Sequence, residues 1–497
     1  MSLTWKHLPE LACYVAEDIA YCDHPQAPHL QRMHLYVPEE LMGPDGTPRP
    51  DGQVVTRHGA CYTASTVPVV FYNDIGGYAE CEPARPNERN QRYIEDRYVV
   101  ASVGARGRQS RDETGGACGK APAGLVDLKS AVRWLRAHAD ELPAGDLDHI
   151  VSVGTSAGGA MSSLLGLSGD CATFEPLLLA AGAAQGVSDA VWAAQCYCPI
   201  TDLDHADMAY EWMFGAKSVC TMKPQINPTV LDGFQRALGA RLAQAYPAYV
   251  GSLGLGVTLG ADGRSGSFYE GVMAELTRSL NVFLTRHADS AEGRASLAAE
   301  LDGGAGFIAW DDETGLGTIS DLDAYVLAFI GRKKECPAFD PLGGCCPENQ
   351  EFGRTGAPAG SPDDKLHFSP TTASLVRALA DERGTEAHAA AAAAYERDCA
   401  REGQSDAVAL LNPLSYLGLG DGAARPGRYA STKARHVRIR LGACDADSSF
   451  SASYLLYQAV LAAGIDASYG LVWGLGHCDA DYPGEFSAWV DDLMAGE

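Results

Sequence analysis

Long hydrophobic runs are missing from this chain of 497 residues. No stretch of about 18 apolar residues could span a bilayer. The opening Met1–Glu10 shows no basic segment followed by an apolar one, the pattern of a secretory leader. The expected location is therefore cytoplasmic. Positive charge is also scarce: 38 Lys and Arg stand against 64 Asp and Glu, a formal charge of −26. That balance disfavours nucleic acid and anionic membrane surfaces as partners. The 15 cysteines are odd in number and contain no CxxC pair, so a structural zinc site is not expected and no metal or organic cofactor is assigned. In a chain without an export signal, reduced, buried thiols are the expected state. Internal repeats are absent, which excludes solenoid architectures.

What is present is an ordinary globular composition, 46% hydrophobic and 21% charged, arranged in a strand–helix rhythm. Arg32–Pro38 alternates and stops at proline, as an early edge strand would. Val67–Tyr72, Arg97–Val103, His149–Val153 and Gln195–Ile200 are short apolar runs of the buried kind. Leu125, Leu128, Val132 and Leu135 recur at helical spacing between the second and third of these runs. From about Thr201 to Leu417 the pattern becomes mainly helical, with glycine- and proline-rich loops such as Gly353–Asp364 and an alanine-rich stretch at Ala387–Ala394. The rhythm then resumes with strand His436–Leu441, a helix over Ser451–Ala463, strand Ala467–Trp473 and a closing helix from Glu485. The reading is an α/β fold with a parallel sheet. A core of residues 1–200 and 418–497 is interrupted, after the sixth strand, by a helical lid over residues 201–417.

Chemistry enters at Gly154-Thr155-Ser156-Ala157-Gly158-Gly159. A serine between glycines, following an apolar strand and opening a helix, has the layout of the α/β-hydrolase nucleophile elbow. In a chain with 55 glycines the bare pattern carries little weight, so its partners decide. In this fold the acid and then the histidine follow the serine, each past the end of a late strand. After His436 the chain holds a single histidine, His477, in the loop beyond the last strand. Before it, Gly442-Ala443-Cys444-Asp445-Ala446-Asp447 closes the preceding strand, and Asp445 stands nearest the strand end. Asp447 would point to the same side if the segment stayed extended; alternatively, Asp447 or Ser448 caps the next helix. Oxyanion donors are expected from the Ala157 N–H and from Gly76 and Gly77, in the turn after Val67–Tyr72. A disulfide between Cys444 and Cys478 would staple the acid and histidine loops, and that pairing stays open.

Several stretches together carry a resemblance. They are Asn73–Tyr78, Val153–Ser163, Cys198–Leu203, Ala209-Tyr210-Glu211-Trp212, Pro337–Asp340, Glu348-Asn349, Arg438–Arg440, Asp445–Asp447, Trp473-Gly474 and His477. In these the chain resembles the subtype B bacterial tannases, α/β-hydrolases that cleave gallate esters. The resemblance implies a triad of Ser156, Asp445 and His477. It also implies a lysine, a glutamate and a second aspartate that hold the ring hydroxyls of a galloyl group: Lys334, Glu348 and Asp447. Lys333 and Glu351 are the alternatives by register for the first two. Carboxylates accept phenolic O–H bonds and an ammonium group donates to the phenol. In the fungal relatives a cysteine just before the nucleophile is bonded to one after the histidine; Thr155 stands at the first place here, so that bridge cannot form. The stretch from Arg354 to Tyr395 departs from the family pattern. The expectation is a monomeric, cofactor-free serine esterase acting on small-molecule gallate and protocatechuate esters. A feruloyl or general carboxylesterase, a peptidase and a non-catalytic binding scaffold are the rivals.

Overall fold

The structure, a computed structural model, describes residues 3–220, 229–419 and 428–496. The expected core segment from 418 onward therefore includes residues 420–427, which lie outside the described residues. A nine-stranded sheet organises the molecule. Its strands are β1 (Lys6–Leu8), β2 (Cys13–Ala20), β3 (Arg32–Pro38), β4 (Pro68–Asn73), β5 (Val99–Val103), β6 (Asp146–Thr155), β7 (Ala193–Tyr197), β8 (His436–Gly442) and β9 (Asp466–Val472). The spatial order is β1-β2-β3-β5-β4-β6-β7-β8-β9. Pairings from β5 to β9 are parallel, and those among β1, β2, β3 and β5 antiparallel. This is an α/β-hydrolase fold.

The central strands are apolar because both faces are covered. Every residue of β4, β5 and β7 is buried, as parallel sheets flanked by helices require. Arg32–Pro38 is not the edge: β2 pairs with it on one side and β5 on the other. Pro38 ends the strand, so its missing N–H costs no interior ladder bond. The two strands preceding it escaped the sequence reading. Counted from β2, the insertion follows the sixth strand; the short β1 makes it the seventh.

Helix α1 (Ala123–Ala137) and helix α2 (Ala157–Leu167) flank the sheet, and all of α2 is buried. Glycine at two places in the elbow is a matter of space. A Cβ on Gly154 would sit 2.4 Å from the Gly158 oxygen, and one on Gly159 2.4 Å from the Tyr197 oxygen.

Between β7 and β8 the chain makes its long excursion. It contains α3 (Leu203–Phe214), α4 (Gly233–Ser252), α5 (Ser267–His287), α6 (Pro347–Glu351), α7 (Pro370–Arg383) and α8 (Glu386–Cys399). The alanine-rich stretch lies inside α8, whose N-terminus Thr385 caps. Two small antiparallel pairs, Val219–Cys220 with Thr229–Val230 and Ile308–Asp311 with Leu316–Ile319, were not anticipated. The strands on either side of the excursion, β7 and β8, are direct neighbours. Helix α9 (Phe450–Ala462) follows β8, and α10 (Glu485–Gly496) ends the fold. Asp491 of α10 accepts hydrogen bonds from Thr56, Tyr62 and Tyr98 at 2.5, 2.9 and 2.7 Å, clasping the last helix onto the first part of the chain. Among the described residues no helix is long and apolar enough to cross a membrane.

Candidate active site

The carboxyl ends of β4, β6, β7, β8 and β9 converge, where open parallel sheets place their sites. Ser156 stands at the β6–α2 junction with φ 63° and ψ −123°. A non-glycine residue is strained there, and the close glycine packing around it holds that conformation. Its N–H donates to the Tyr197 oxygen at the end of β7, 2.9 Å away.

Asp445 and His477 are brought together: His477 Nδ1 lies 2.8 Å from Asp445 Oδ2. Asp445 is fully buried and also accepts from the N–H groups of Asp447 and Ser448 and from the Ser448 hydroxyl. Burial pushes its carboxyl up, but His477 and these donors win and hold it below the usual range. Burial likewise pulls His477 down, while Asp445 and then Asp447 raise it above its ordinary value against an opposing pull from Lys334. The Ser156 hydroxyl makes no hydrogen bond among the described residues, so the link from serine to histidine is open here. Such contacts often tighten only when substrate is bound.

The segment after β8 does not stay extended. It turns at Ala443 and Cys444, so the Asp447 N–H folds back onto Asp445 while its carboxylate pairs with Lys333 Nζ. Neither Asp447 nor Ser448 caps α9; Ser449 does, accepting from the Ser451 N–H. Cys444 and Cys478 are both free thiols, so the open disulfide is not formed. A different tether joins the elbow and the histidine loop. The Thr155 hydroxyl donates to Asp479, whose other oxygen accepts from Arg92 at 3.2 Å.

The turn Asn73–Tyr78 is stitched to the elbow. The Asn73 amide donates to the Val153 and Gly158 oxygens, and the Gly158 N–H donates to the Ile75 oxygen at 2.8 Å. The N–H groups of Gly76, Gly77 and Ala157 have no acceptor among the described residues. They are free to meet a developing oxyanion. Gly77 adopts φ +53°, a left-handed conformation natural to glycine. Arg108 ties this turn to α6, donating to the Gly77 oxygen at 2.8 Å and to the Gln350 side chain.

Lys334 and Glu348 interact electrostatically. The Lys334 ammonium lies 3.6 Å from the Phe339 ring centre and acts electrostatically on both Glu348 and His477. Glu348 is 3% exposed, and its Oε2 has no hydrogen-bond partner. Burial raises its carboxyl, with Lys334 and Arg108 pulling the other way. Glu351 is its neighbour and also holds a buried, unpartnered Oε2: burial pushes it up to about 8, Lys120 and Arg108 pull it down, and Glu348 raises it further, while Lys334 does not act on it. Lys333 pairs with Asp447, and Lys334 acts on Glu348.

Cys198 Sγ, the Asp445 carboxylate and a His477 ring nitrogen lie within 4.8 Å of one another, the one such trio among the described residues. Asp445 and His477 are already engaged with each other. Burial, reinforced by Asp445, holds the Cys198 thiol well above its usual value, so it is a protonated neighbour donating to the Cys478 oxygen at 3.2 Å. This donor set does not resemble a resident metal centre.

Sequence reasoning missed Arg108, the Thr155–Asp479 tether and Tyr210, whose hydroxyl meets both lysine N–H groups. The Ala209–Trp212 stretch was noticed without a role.

A parallel sheet with a strained serine elbow, and an aspartate–histidine pair on the loops after its last two strands, defines the class as α/β-hydrolase. A family model described as BD-FAE matches residues 62–217. Over nearly its whole length the chain is similar to the tannin acyl hydrolase from Lactobacillus plantarum. Identity is 30%, coverage 99% of this chain and 97% of that one, and the TM-score 0.79. A tannin acyl hydrolase solved in complex with ethyl gallate gives 29%, 99%, 97% and 0.78 on the same measures, and the Fusobacterium nucleatum tannase 27%, 97%, 95% and 0.75. Comparison with curated protein sequences gave no match. The chain belongs to the tannin acyl hydrolase, or tannase, family and is a carboxylic ester hydrolase.

Proposed function

We propose that this enzyme hydrolyses galloyl and protocatechuoyl esters through an acyl-enzyme on Ser156. The observation that carries the reading is the buried Glu348 carboxyl with an unpartnered oxygen, under the influence of Lys334, which also acts on His477. A polyhydroxylated ring supplies the phenolic O–H that such an oxygen lacks. A relative solved with ethyl gallate supports the same substrate class. Lys334, Glu348 and Asp447 hold the ring hydroxyls and present the ester carbonyl to Ser156. His477 takes the Ser156 proton as Oγ attacks, and Asp445 fixes the imidazole tautomer and stabilises its charged form. Ala157, Gly76 and Gly77 donate to the oxyanion, each N–H contributing about 3 kcal/mol. His477 returns the proton to the departing alcohol. It then activates the water that releases gallate from the serine. Residues 201–417 act as a lid between core segments 1–200 and 418–497 and carry Lys334 and Glu348 to the site.

Hydrolysis of methyl gallate, methyl ferulate and p-nitrophenyl butyrate tests this reading. Methyl gallate is expected to react fastest, and Ser156→Ala to abolish turnover of all three. Rapid cleavage of the last two alone overturns the gallate assignment. Full activity in Ser156→Ala overturns the triad.

A further inference from the structure

We infer that Tyr210 is a positioning residue whose single hydroxyl sets the ring-binding lysines against the triad acid loop, and so governs discrimination for hydroxylated rings. The inference rests on the galloyl-ester reading above. Tyr210 lies on α3 and is fully buried. Its Oη donates to the Ala446 oxygen at 2.9 Å and accepts from the Lys334 N–H at 3.0 Å and the Lys333 N–H at 3.3 Å. A phenol offers one donor and two acceptor sites, and here all are used. Burial raises the phenol above its ordinary value, so the hydrogen that binds Ala446 stays in place.

The position of that hydroxyl is what matters. Ala446 separates Asp445, bonded to His477, from Asp447, paired with Lys333. Lys333 and Lys334 come from a distant part of the insertion. The Tyr210 oxygen is thus a joint between two loops that share no sequence neighbourhood. The Lys334 peptide is gripped from its other side too, because Arg332 Nε donates to the Lys334 oxygen at 2.7 Å. Arg332 is itself fully buried, paired in two places with Glu211, and set against the Tyr210 ring with its guanidinium carbon 5.5 Å from the centre. Asp445 has anchors of its own in Ser448 and His477, and Tyr325 holds the Ala443 oxygen at 2.7 Å. Loss of the Tyr210 hydroxyl therefore loosens the ring-binding side more than the triad.

The test is Tyr210→Phe in the full chain, assayed with methyl gallate, methyl benzoate and p-nitrophenyl acetate. Methyl gallate kcat/KM is expected to fall roughly ten- to a hundred-fold, mainly through KM, because buried donors and an acceptor lose their partner. The two esters without ring hydroxyls should stay within about two-fold, which also reports that the fold and triad survive. An equal fall for all three esters, or no fall for any, overturns the inference. Wild-type enzyme that fails to prefer methyl gallate over methyl benzoate overturns the galloyl reading and this inference with it. A wild-type preference that survives intact in Tyr210→Phe overturns this inference alone. If Tyr210→Phe yields no folded chain, Arg332→Lys decides by the same ratio, since it removes the Nε bond to Lys334 and keeps a cation beside Glu211.

Discussion

Replacing Thr155 by valine removes one hydroxyl and almost no volume, yet it cuts the side-chain link between the elbow and the histidine loop. Thr155 precedes the nucleophile, and Asp479 lies two residues beyond His477. The Asp479 side chain is only 11% exposed, so water replaces the lost donor poorly, while Arg92 keeps its hold on the second oxygen. A hydrogen bond to a charged group contributes about 1.5–3 kcal/mol. If all of it maintains the register of His477 against Ser156, kcat falls about 10- to 150-fold. If all of it supports the folded state, kcat is unchanged and the urea midpoint drops instead. Because the tether does not touch the ring pocket, methyl gallate and p-nitrophenyl acetate should lose kcat in equal proportion, with KM nearly constant. Thr155→Ser keeps the hydroxyl and should retain most of the activity. A Thr155→Val enzyme with wild-type kcat on both esters and a wild-type urea midpoint refutes the reasoning.

Glu348→Gln should lower kcat/KM for methyl gallate about 10- to 100-fold and leave p-nitrophenyl acetate almost untouched, since the lost contact is a charge-assisted bond to the ring; steady-state kinetics on the two esters reads this directly. In the proposed mechanism His477 must be neutral to accept the serine proton, and its pKa is raised, so the acid limb of kcat/KM should lie above the ordinary histidine value. With p-nitrophenyl acetate, Asp447→Asn should move that limb to lower pH and Lys334→Met to higher pH, the signs following from their opposite effects on His477. The same shifts act on stability: the raised His477 contributes below its unfolded pKa and loses that as pH rises through the folded value, whereas the depressed Asp445 contributes above its unfolded pKa and loses that as pH falls through the folded value. The pair should thus add most to the denaturation midpoint between about pH 4 and 6.5, below the pH of full activity. Gly159→Ala should destabilise by about 1–3 kcal/mol in denaturant melts, because its Cβ would meet the Tyr197 oxygen that also receives the Ser156 N–H.

Local physics made half of this site legible. The elbow declares itself because only glycine tolerates the approach of Gly158 and Tyr197 oxygens. Asp445 and His477 follow from strand order, since parallel strands deliver their loops to one end of the sheet. The short β1 and the β2 strand went unread because their residues carry no clean alternation against a turn signal. Neither route offered for Asp447, alternation along an extended segment or a cap on the next helix, is the one the chain takes; a turn at Ala443–Cys444 places it instead. Least legible were contacts between distant segments, such as Thr155 with Asp479, or Tyr210 with Lys333, Lys334 and Ala446. Nothing within a few residues of either partner announces them. The division between Lys333 and Lys334 is of the same kind, decided by where the Tyr210 hydroxyl and Asp447 meet the loop.

The adjacency of β7 and β8 across the insertion has a consequence for how the enzyme comes into being. As the chain leaves the ribosome, the nucleophile strand and β7 emerge early, and β7 then presents a free, apolar edge while the whole insertion is made. That edge is a template for wrong pairing, and such non-local parallel pairing forms slowly. His477 and Asp445, the proposed base and its orienting acid, arrive only with the last two strands, and the clasp of Asp491 onto Thr56, Tyr62 and Tyr98 forms later still. On the proposed triad, a nascent chain thus carries Ser156 without the pair that would activate it. With that triad, esterase activity is expected only once the final segment has closed the sheet, which would make activity itself a report of completed folding.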